Sequence, residues 1–190
     1  ELASIIPVAF TNKQLLLEAF THRSSVNESV VGSPRHNERL EFLGDAVLDL
    51  IVADTLISLN ENLNEGEMTS HKSAIVKGDS LAVIALDNHL NNHIILGIGE
   101  ERSGGRGRAS NLAGLVEAII GAVYLDSGLR SAKALVHEWF ETSINRTLST
   151  TLTENPKGTL QQLCQRNYKT VPNYTIVNRH GPDHSPEFTV

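Results

Sequence analysis

The stretch that most constrains the fold of this chain is residues 37–50, which places acidic and aliphatic side chains on opposite sides of one predicted helix. At about 100° per residue, the acids fall within an arc of roughly 80°, and the aliphatic residues gather on the other side. The acids are Glu38, Glu41, Asp45 and Asp49. The aliphatic residues are Leu40, Leu43, Val47, Leu50 and Ile51. The pattern predicts an amphipathic helix whose aliphatic side packs against a core.

The crowding of these acids needs an explanation. Each pair of like charges spaced i,i+4 costs an isolated helix about 0.2–0.5 kcal/mol. A cation would offset the repulsion, and clustered carboxylates suit hard, oxygen-preferring ions such as Mg²⁺. The alternative is an ordinary solvated acidic face. The helix alone leaves both interpretations open.

A second chemical signal is Glu117, which lies in the middle of the apolar segment 111–126. A helix that is apolar nearly all round is a buried helix, and an ionised carboxylate buried without a partner is very costly. Glu117 therefore needs a metal ion, a raised pKa, or a cationic partner such as Arg39 or Arg23. Two helices that turn carboxylates toward each other would form an oxygen-ligand site for a divalent metal, and such sites drive phosphodiester hydrolysis.

Composition narrows the class of protein. The 190 residues are 40% hydrophobic, which is enough for one core plus a small module. The net charge of −6 means that any binding to nucleic acid must come from local basic patches. The longest apolar run, residues 118–125, is too short to span a membrane. The lone Cys164 cannot form an internal disulfide, which fits a reducing compartment.

The pattern along the chain predicts two modules. Helical periodicities dominate residues 1–148, and we find no strand signal before Pro172. The polar segment 149–155 is predicted to be a linker. Residues 156–190 then combine a short helical run with two strand-like segments, 174–177 and 188–190, around a Gly181-Pro182-Asp183 turn. This order predicts an all-α domain followed by a smaller α+β module.

Several segments together resemble the ribonuclease III family of double-strand-specific endoribonucleases, over nearly the whole chain. The most specific is the decapeptide at residues 36–45. The other matching segments are Thr21-His22-Arg23-Ser24, Asn27-Glu28, Ser103-Gly104-Gly105-Arg106, Glu117-Ala118 and Leu125-Asp126. Residues 157–161 and 181–184 resemble the first half of a double-stranded-RNA-binding domain. The resemblance implies an all-α endonuclease domain with the ribonuclease III-like helical fold, followed by a partial α+β double-stranded-RNA-binding module.

The resemblance also implies an activity. A metal-dependent endoribonuclease of this type hydrolyses double-stranded RNA in RNA processing, including that of ribosomal RNA, and leaves 5′-phosphate and 3′-hydroxyl ends. By the same resemblance, Glu41, Asp45 and Glu117 hold Mg²⁺, or Mn²⁺ in its place. Asp45 and Glu117 are then catalytic, with assistance from Glu38. A cytoplasmic homodimer without a membrane partner is expected, with Phe42 at the subunit interface.

Two further segments are predicted to contact RNA. Residues 102–108 place three cations on a flexible glycine scaffold, which suits phosphate contacts. In the second module, one helix face resembles the part that enters a minor groove, and a loop resembles the contact with the next groove. The predicted RNA-binding residues are Arg102, Arg106, Arg108, Thr159, Gln161, Gln162 and His184.

One position departs from the family pattern, which has an aspartate three residues before the glutamate of the second helix. This chain has Gly114 there, so it lacks one metal-coordinating carboxylate and carries a poor helix former inside a helix. Water is expected to fill the vacated position, since Mg²⁺ often retains several waters, and Asn111 could offer an oxygen. The alternative function is therefore a non-cleaving or weakly active double-stranded-RNA-binding protein on the same fold.

Overall fold

The protein is described here by a computed structural model. The described residues are 6–27, 35–59, 63–154, 160–161, 164–165, 167–175, 177–180 and 187–189. The chain divides into two compact units, Glu1–Thr147 and Leu148–Val190. Each unit is considered by itself.

The first unit is built from α-helices, which confirms the predicted all-α fold. In chain order the helices are α1 Lys13–Phe20, α2 Arg23–Asn27, α3 Glu38–Leu59, α4 Glu65–Val76, α5 Gly78–Asp87, α6 Ile98–Arg102 and α7 Ala109–Glu154. Short 3-10 turns occupy Leu90–Asn92 and Gly105–Gly107. Helix α7 is interrupted at Gly128, whose φ of 78° is not helical.

The first half of α7 is the centre of the core. Its aliphatic residues are almost completely buried: Leu112, Leu115, Val116, Ala118, Ile119, Ile120, Ala122 and Val123. By length and composition, Ala109–Ser149 is apolar enough to cross a membrane, which the run-length argument from the sequence missed. The most apolar window of that segment is 61% buried inside the protein, as in the core helix of a globular domain.

Helix α3 packs its core side almost as predicted. Leu40, Val47 and Ile51 are buried, and Leu43 is partly buried. Leu50 was also expected on the core side, and that expectation is wrong, because 56% of it is exposed. The buried residues of α3 centre on the line through Gly44 and Leu48, from which Leu50 projects by more than about 100°. Contact with α7 at Gly44 therefore defines the core side of this helix.

The beginning of α1 is attached to α7. The Asn12 side chain caps α1 by accepting a hydrogen bond from the Gln14 backbone N–H at 3.0 Å. The Asp126 carboxylate accepts hydrogen bonds from the backbone N–H groups of Thr11, at 3.0 Å, and Asn12, at 2.7 Å. These bonds to the charged form hold the pKa of Asp126 below its ordinary value.

The second unit contains the predicted hairpin strands in a shifted position. Strand β1, Asn178–His180, pairs antiparallel with strand β2, Glu187–Thr189, with Arg179 opposite Phe188. The first strand begins at Asn178 rather than at Tyr174, since the residues that pair with β2 are 178–180. The predicted turn at 181–183 lies outside the described residues.

The segment 149–155 is helical where it is described. Residues 149–154 continue α7 to Glu154, although their composition suggested a linker without regular structure. Asn155 lies outside the described residues. Farther along, the described residues between 160 and 168 are also helical. The exact domain bounds of 1–148 and 156–190 stay a prediction.

Candidate active site

Helices α3 and α7 cross with their backbones in direct contact. A Cβ atom on Gly44 would lie 1.7 Å from the backbone oxygen of Glu117, and a Cβ on Gly121 would lie 2.2 Å from the backbone oxygen of Leu40. A side chain at either glycine would force the two helices apart. Glycine at these two positions therefore allows α3 to bring its acids against the middle of α7.

Two carboxylates from the two helices share this crossing. Glu117 is half-buried, and burial together with the charges of Asp45, Glu41 and Asp49 raises its pKa to about 7. Burial, reinforced by the nearby charge of Glu38, also raises the pKa of Glu41. Each shift records the cost of holding negative charge away from water and close to other acids. The crossing therefore favours a proton or a cation.

The other acids of α3 have cationic partners. Glu38 accepts a hydrogen bond from Arg23 at 3.1 Å, and Asp49 forms an ion pair with Lys72 at 2.6 Å. The suggested arginine partner for Glu117 does not occur among the described residues, where neither Glu117 nor Asp45 forms an ion pair. The acidic face thus divides into two paired acids and a central group without a counter-ion.

The carboxylates of Glu41, Asp45 and Glu117 do not surround a single point. Within the described part of the chain, no three histidine, cysteine, aspartate or glutamate side chains are placed as a ready-made metal site. Like charges without a cation between them repel, so separated carboxylates are expected when no ion is present. A divalent ion would have to draw Glu41, Asp45 and Glu117 together.

Gly114 lies directly against the Glu41 carboxylate. A Cβ at position 114 would be 2.7 Å from Glu41 Oε2, 2.9 Å from Glu41 Cδ and 3.3 Å from Glu41 Oε1. The Glu41 carboxylate therefore lies where a Cβ atom at position 114 would be. Whether water replaces the missing carboxylate as a metal ligand stays a prediction. Position 114 faces the acid cluster, as the sequence comparison with the family suggested.

Asn111 serves a neighbouring loop. Its Nδ2 atom donates to Glu100 Oε1 at 2.8 Å and to the Gly105 backbone oxygen at 3.0 Å. Arg108 forms an ion pair with the same Glu100 carboxylate. These contacts connect the first turn of α7 to α6 and use the Nδ2 atom of Asn111, so the suggested role of its oxygen as a ligand stays a prediction.

The arginine-rich loop is held by ion pairs and is not the flexible scaffold that its glycines suggested. Arg106 binds the Glu101 carboxylate through Nε at 2.9 Å and through its terminal nitrogen at 2.6 Å, and also donates to the Asn91 backbone oxygen at 2.7 Å. Arg108 donates to Ser103 Oγ at 3.2 Å as well as to Glu100. Arg102 is exposed and forms no ion pair with a described residue.

Comparison with known families identifies the nuclease fold directly. A family model described as Ribonuclease-III-like matches residues 12–144, and a model described as a double-stranded RNA binding motif matches residues 156–190. The chain belongs to the ribonuclease III family. It is an endoribonuclease, and its second module is of the type that binds double-stranded RNA.

Curated relatives match along almost the whole chain. Ribonuclease 3 of Vibrio cholerae is 40% identical over 100% of this chain and 81% of its own length. Ribonuclease 3 of Shewanella denitrificans is 39% identical over 95% of this chain and 77% of its own length. These identities extend the family assignment across both modules.

Solved structures agree with the fold. The nuclease domain of ribonuclease III from Campylobacter jejuni superimposes with a TM-score of 0.69 at 36% identity, covering 76% of this chain and 96% of that domain. Dicer from Pichia stipitis, at 22% identity and a TM-score of 0.58, shares the fold over 96% of this chain and 83% of its own.

In this ribonuclease III chain, Phe42 is displayed on the surface. The side chain follows Glu41 on α3 and is 81% exposed. Ala46, Leu50 and Ile57 follow at helical spacing and are also exposed. Together, Phe42, Ala46, Leu50 and Ile57 form an apolar strip along α3 that no other described element covers.

The predicted RNA contacts in the second module are described only in part. Gln161 is partly buried in a helical segment. Thr159, Gln162 and His184 lie outside the described residues, as does Glu28 of the matching segment near the N-terminus. Their assignment stays a prediction.

The sequence argument missed two features of the ribonuclease III site. Gly121 was not singled out, although it lies seven residues after Gly114, a spacing that places both glycines on one side of α7. Glu100 was not singled out either, although it anchors Arg108 and Asn111. Its position before a run of arginines is the only local signal, and it is weak.

Proposed function

We propose that this endoribonuclease depends on a divalent metal ion and hydrolyses phosphodiester bonds of duplex RNA, leaving 5′-phosphate and 3′-hydroxyl ends. The observation that carries the proposal is the approach of Glu41 to Glu117 at a helix crossing where neither carboxylate forms an ion pair with a described residue. Carboxylates held in this way are a typical binding site for Mg²⁺, and Mn²⁺ can take its place.

The donor set fits such an ion. Glu41, Asp45 and Glu117 offer only oxygen ligands, and the Glu41 carboxylate reaches across Gly114 on the helix that carries Glu117. When bound, the ion would supply an activated water and stabilise charge on the leaving oxygen. Asp45 and Glu117 are the proposed catalytic acids. Glu117 is fixed by the buried helix α7, whereas Asp45 is exposed and adjoins Gly44 at the crossing.

Glu38 is proposed to assist beside this centre. Arg23 holds its carboxylate at 3.1 Å, and the Nδ1 atom of His36 lies 3.7 Å from its other oxygen. Glu38 also contributes to the raised pKa of Glu41, which places it close enough to influence the acid cluster electrostatically. This position suits a role in orienting the scissile strand.

RNA contacts are proposed at two places. In the nuclease module, Arg102 is available for phosphate, whereas Arg106 and Arg108 would have to share their hydrogen bonds with Glu101 and Glu100. In the second module, Thr159, Gln161, Gln162 and His184 are proposed to contact two successive grooves of the duplex. Such shape-based recognition does not require base-specific contacts.

A cytoplasmic homodimer is proposed to be the active form. The apolar strip on α3 contains an aromatic residue that is 81% exposed, which favours burial against another protein surface. The matching Campylobacter jejuni nuclease domain has a region involved in dimer formation. A second copy joined through Phe42 would place two acid clusters in one particle, one for each RNA strand.

The decisive assay incubates the chain with a long RNA duplex in Mg²⁺ or Mn²⁺, with a chelator and single-stranded RNA as controls. We expect staggered products with 5′-phosphates that appear only with metal and duplex. The second candidate is a binding protein without cleavage, which the missing carboxylate at Gly114 favours. Retention of the duplex at every metal concentration without a cut would establish that candidate and overturn the first.

A further inference from the structure

The contact between Gly114 and Glu41 defines how this site differs from one with an acid at position 114. An added Cβ at residue 114 would lie within 3.0 Å of both Oε2 and Cδ of Glu41, closer than real Cβ atoms approach other groups. The atoms in conflict are at the end of a flexible side chain, so Glu41 would rotate aside while the helices stay in place. The glycine therefore decides where the Glu41 carboxylate can be.

We propose that Gly114 is a positioning residue, which lets the Glu41 carboxylate occupy the place of the missing acid and serve the metal ion from that place. The inference rests on the proposed metal dependence and deepens it. In this arrangement Glu41 of α3 reaches the surface of α7 at position 114. In a site with an aspartate at position 114, α7 would supply that carboxylate itself.

Gly114→Ala separates an effect on metal binding from an effect on stability. Gly114→Ala adds one methyl group and improves the helix propensity of α7, so a purely structural view expects a neutral or stabilising change. If Glu41 needs the space, the same methyl pushes its carboxylate away and weakens metal binding. A water-filled gap would allow the alanine variant to bind metal as the parent does.

The experiment measures Mn²⁺ binding directly, by the free-ion electron paramagnetic resonance signal and by calorimetry, in the full chain without RNA. The variants are Gly114→Ala, Gly114→Asn and Gly114→Asp. The matched control is Gly78→Ala, in which the new methyl would lie 3.9 Å from the nearest atom, the Ala113 Cβ. Thermal melting in chelator checks that every variant is folded.

We expect Gly114→Ala and Gly114→Asn to bind Mn²⁺ at least about tenfold more weakly than the parent, the scale of loss when a ligand's support is removed. Gly114→Asp, which displaces Glu41 but adds a carboxylate, should bind at least as tightly as the parent. Gly78→Ala should match the parent, and Gly114→Ala should melt no lower in chelator.

Equal Mn²⁺ affinity of Gly114→Ala and the parent would overturn the inference while leaving metal dependence intact. A parent that binds no Mn²⁺ would instead overturn the proposed metal site and the inference together. Weak binding by Gly114→Asp, together with weak binding by the alanine variant, would also contradict the role of Glu41, because it would show that any side chain at 114 simply distorts the crossing.

Discussion

Two acid-rich regions of the nuclease module use their charges in opposite ways. Around α6, Glu100 and Glu101 pair with Arg108 and Arg106. The hydrogen bond from Asn111, together with the charge of Arg108, lowers the pKa of Glu100, and the hydrogen bond from Arg106 lowers the pKa of Glu101. At the crossing of α3 and α7, burial and neighbouring acids raise the pKa of Glu117 to about 7. The ionised acids of the first region therefore stabilise the fold, and ionisation of the acids in the second region destabilises it.

The contrast arises from backbone packing. Close contact at Gly44 and Gly121 brings the acids of α3 against the buried helix α7, where no described cation forms an ion pair with Glu117, whereas two arginines fold back onto the acids of α6. A cluster of acids is therefore informative only when its partners are known. Sequence shows the acids, and the packing decides which of them remain without a counter-ion.

The largest expected effect is loss of cleavage in Glu117→Gln. The variant keeps the shape of the side chain but removes the carboxylate that is the proposed metal ligand and catalytic acid, so we expect the rate to fall by about 10²- to 10³-fold or more. Binding of duplex RNA, measured in Ca²⁺ by gel shift, should be unchanged. Glu138→Gln, at an exposed position of the same helix, is the matched control. Unaltered turnover in Glu117→Gln would show that the acids at the crossing are not needed for cleavage.

The next largest effect concerns the subunit interface, which is proposed to lie beside the crossing and not at α6. Phe42→Ala removes the exposed aromatic side chain beside Glu41 and should weaken the dimer by about 30-fold or more, as for an interface hot spot. Ile98→Ala, which truncates a 63% exposed side chain of α6, should not change it. Analytical ultracentrifugation across a concentration series measures the dimer dissociation constant of each variant. A parent that is monomeric at tens of micromolar would contradict the proposed dimer.

The two regions should respond to pH with opposite signs. Folding raises the pKa of Glu117 from 4.5 to about 7, so the metal-free parent loses stability as the pH rises between those values. In chelator above pH 7, the free energy of unfolding of Glu117→Gln should therefore exceed that of the parent by about 1–2 kcal/mol, since solvent screens part of the shift. Below pH 4.5 the two proteins should be equally stable.

Glu101→Gln is the opposing arm of the same experiment. Arg106 lowers the pKa of Glu101, so this acid stabilises the fold above its unfolded pKa and loses that effect as the pH falls through the folded value. The variant should be less stable than the parent at pH 7 and equal to it in strong acid. Denaturant titrations over the pH range measure both variants, and shifts of the same sign would contradict the comparison.

The smallest effect concerns Asn111, at the border of the two regions. Asn111→Ala removes hydrogen bonds to Glu100 and Gly105 and should lower the free energy of unfolding by about 1 kcal/mol. Its Mn²⁺ affinity should equal that of the parent, because the amide serves the α6 loop. A weaker ion affinity at unchanged stability would show that Asn111 does supply a ligand.

Much of the fold followed from periodicity. The buried apolar helix around Glu117 and the core side of α3 were predictable, because burial imposes a repeat on the sequence. Local patterns could not predict that Leu50 is exposed, that α7 continues through residues 149–154, or that β1 begins at Asn178. Those features depend on which surfaces meet in three dimensions.

The candidate site was predictable to a similar extent. Resemblance to a family pointed to Glu41, Asp45 and Glu117. The approach of Glu41 to α7 depends on a helix crossing that the sequence marks only by Gly44 and Gly121. The pairing of Arg106 and Arg108 with α6 could not be predicted, because a basic loop has the same composition whether or not its charges are engaged.

The hydrogen bonds from Thr11 and Asn12 to Asp126 have a consequence for how the chain folds. They span 115 and 114 residues of sequence, so the attachment of α1 cannot form until the ribosome has released most of the nuclease module. At about 5–20 residues per second, synthesis of that length takes several seconds, far longer than helix formation. The start of α1 must therefore wait for its anchor, and a nascent chain stopped before residue 126 should be cleaved more readily by proteases around Thr11 and Asn12.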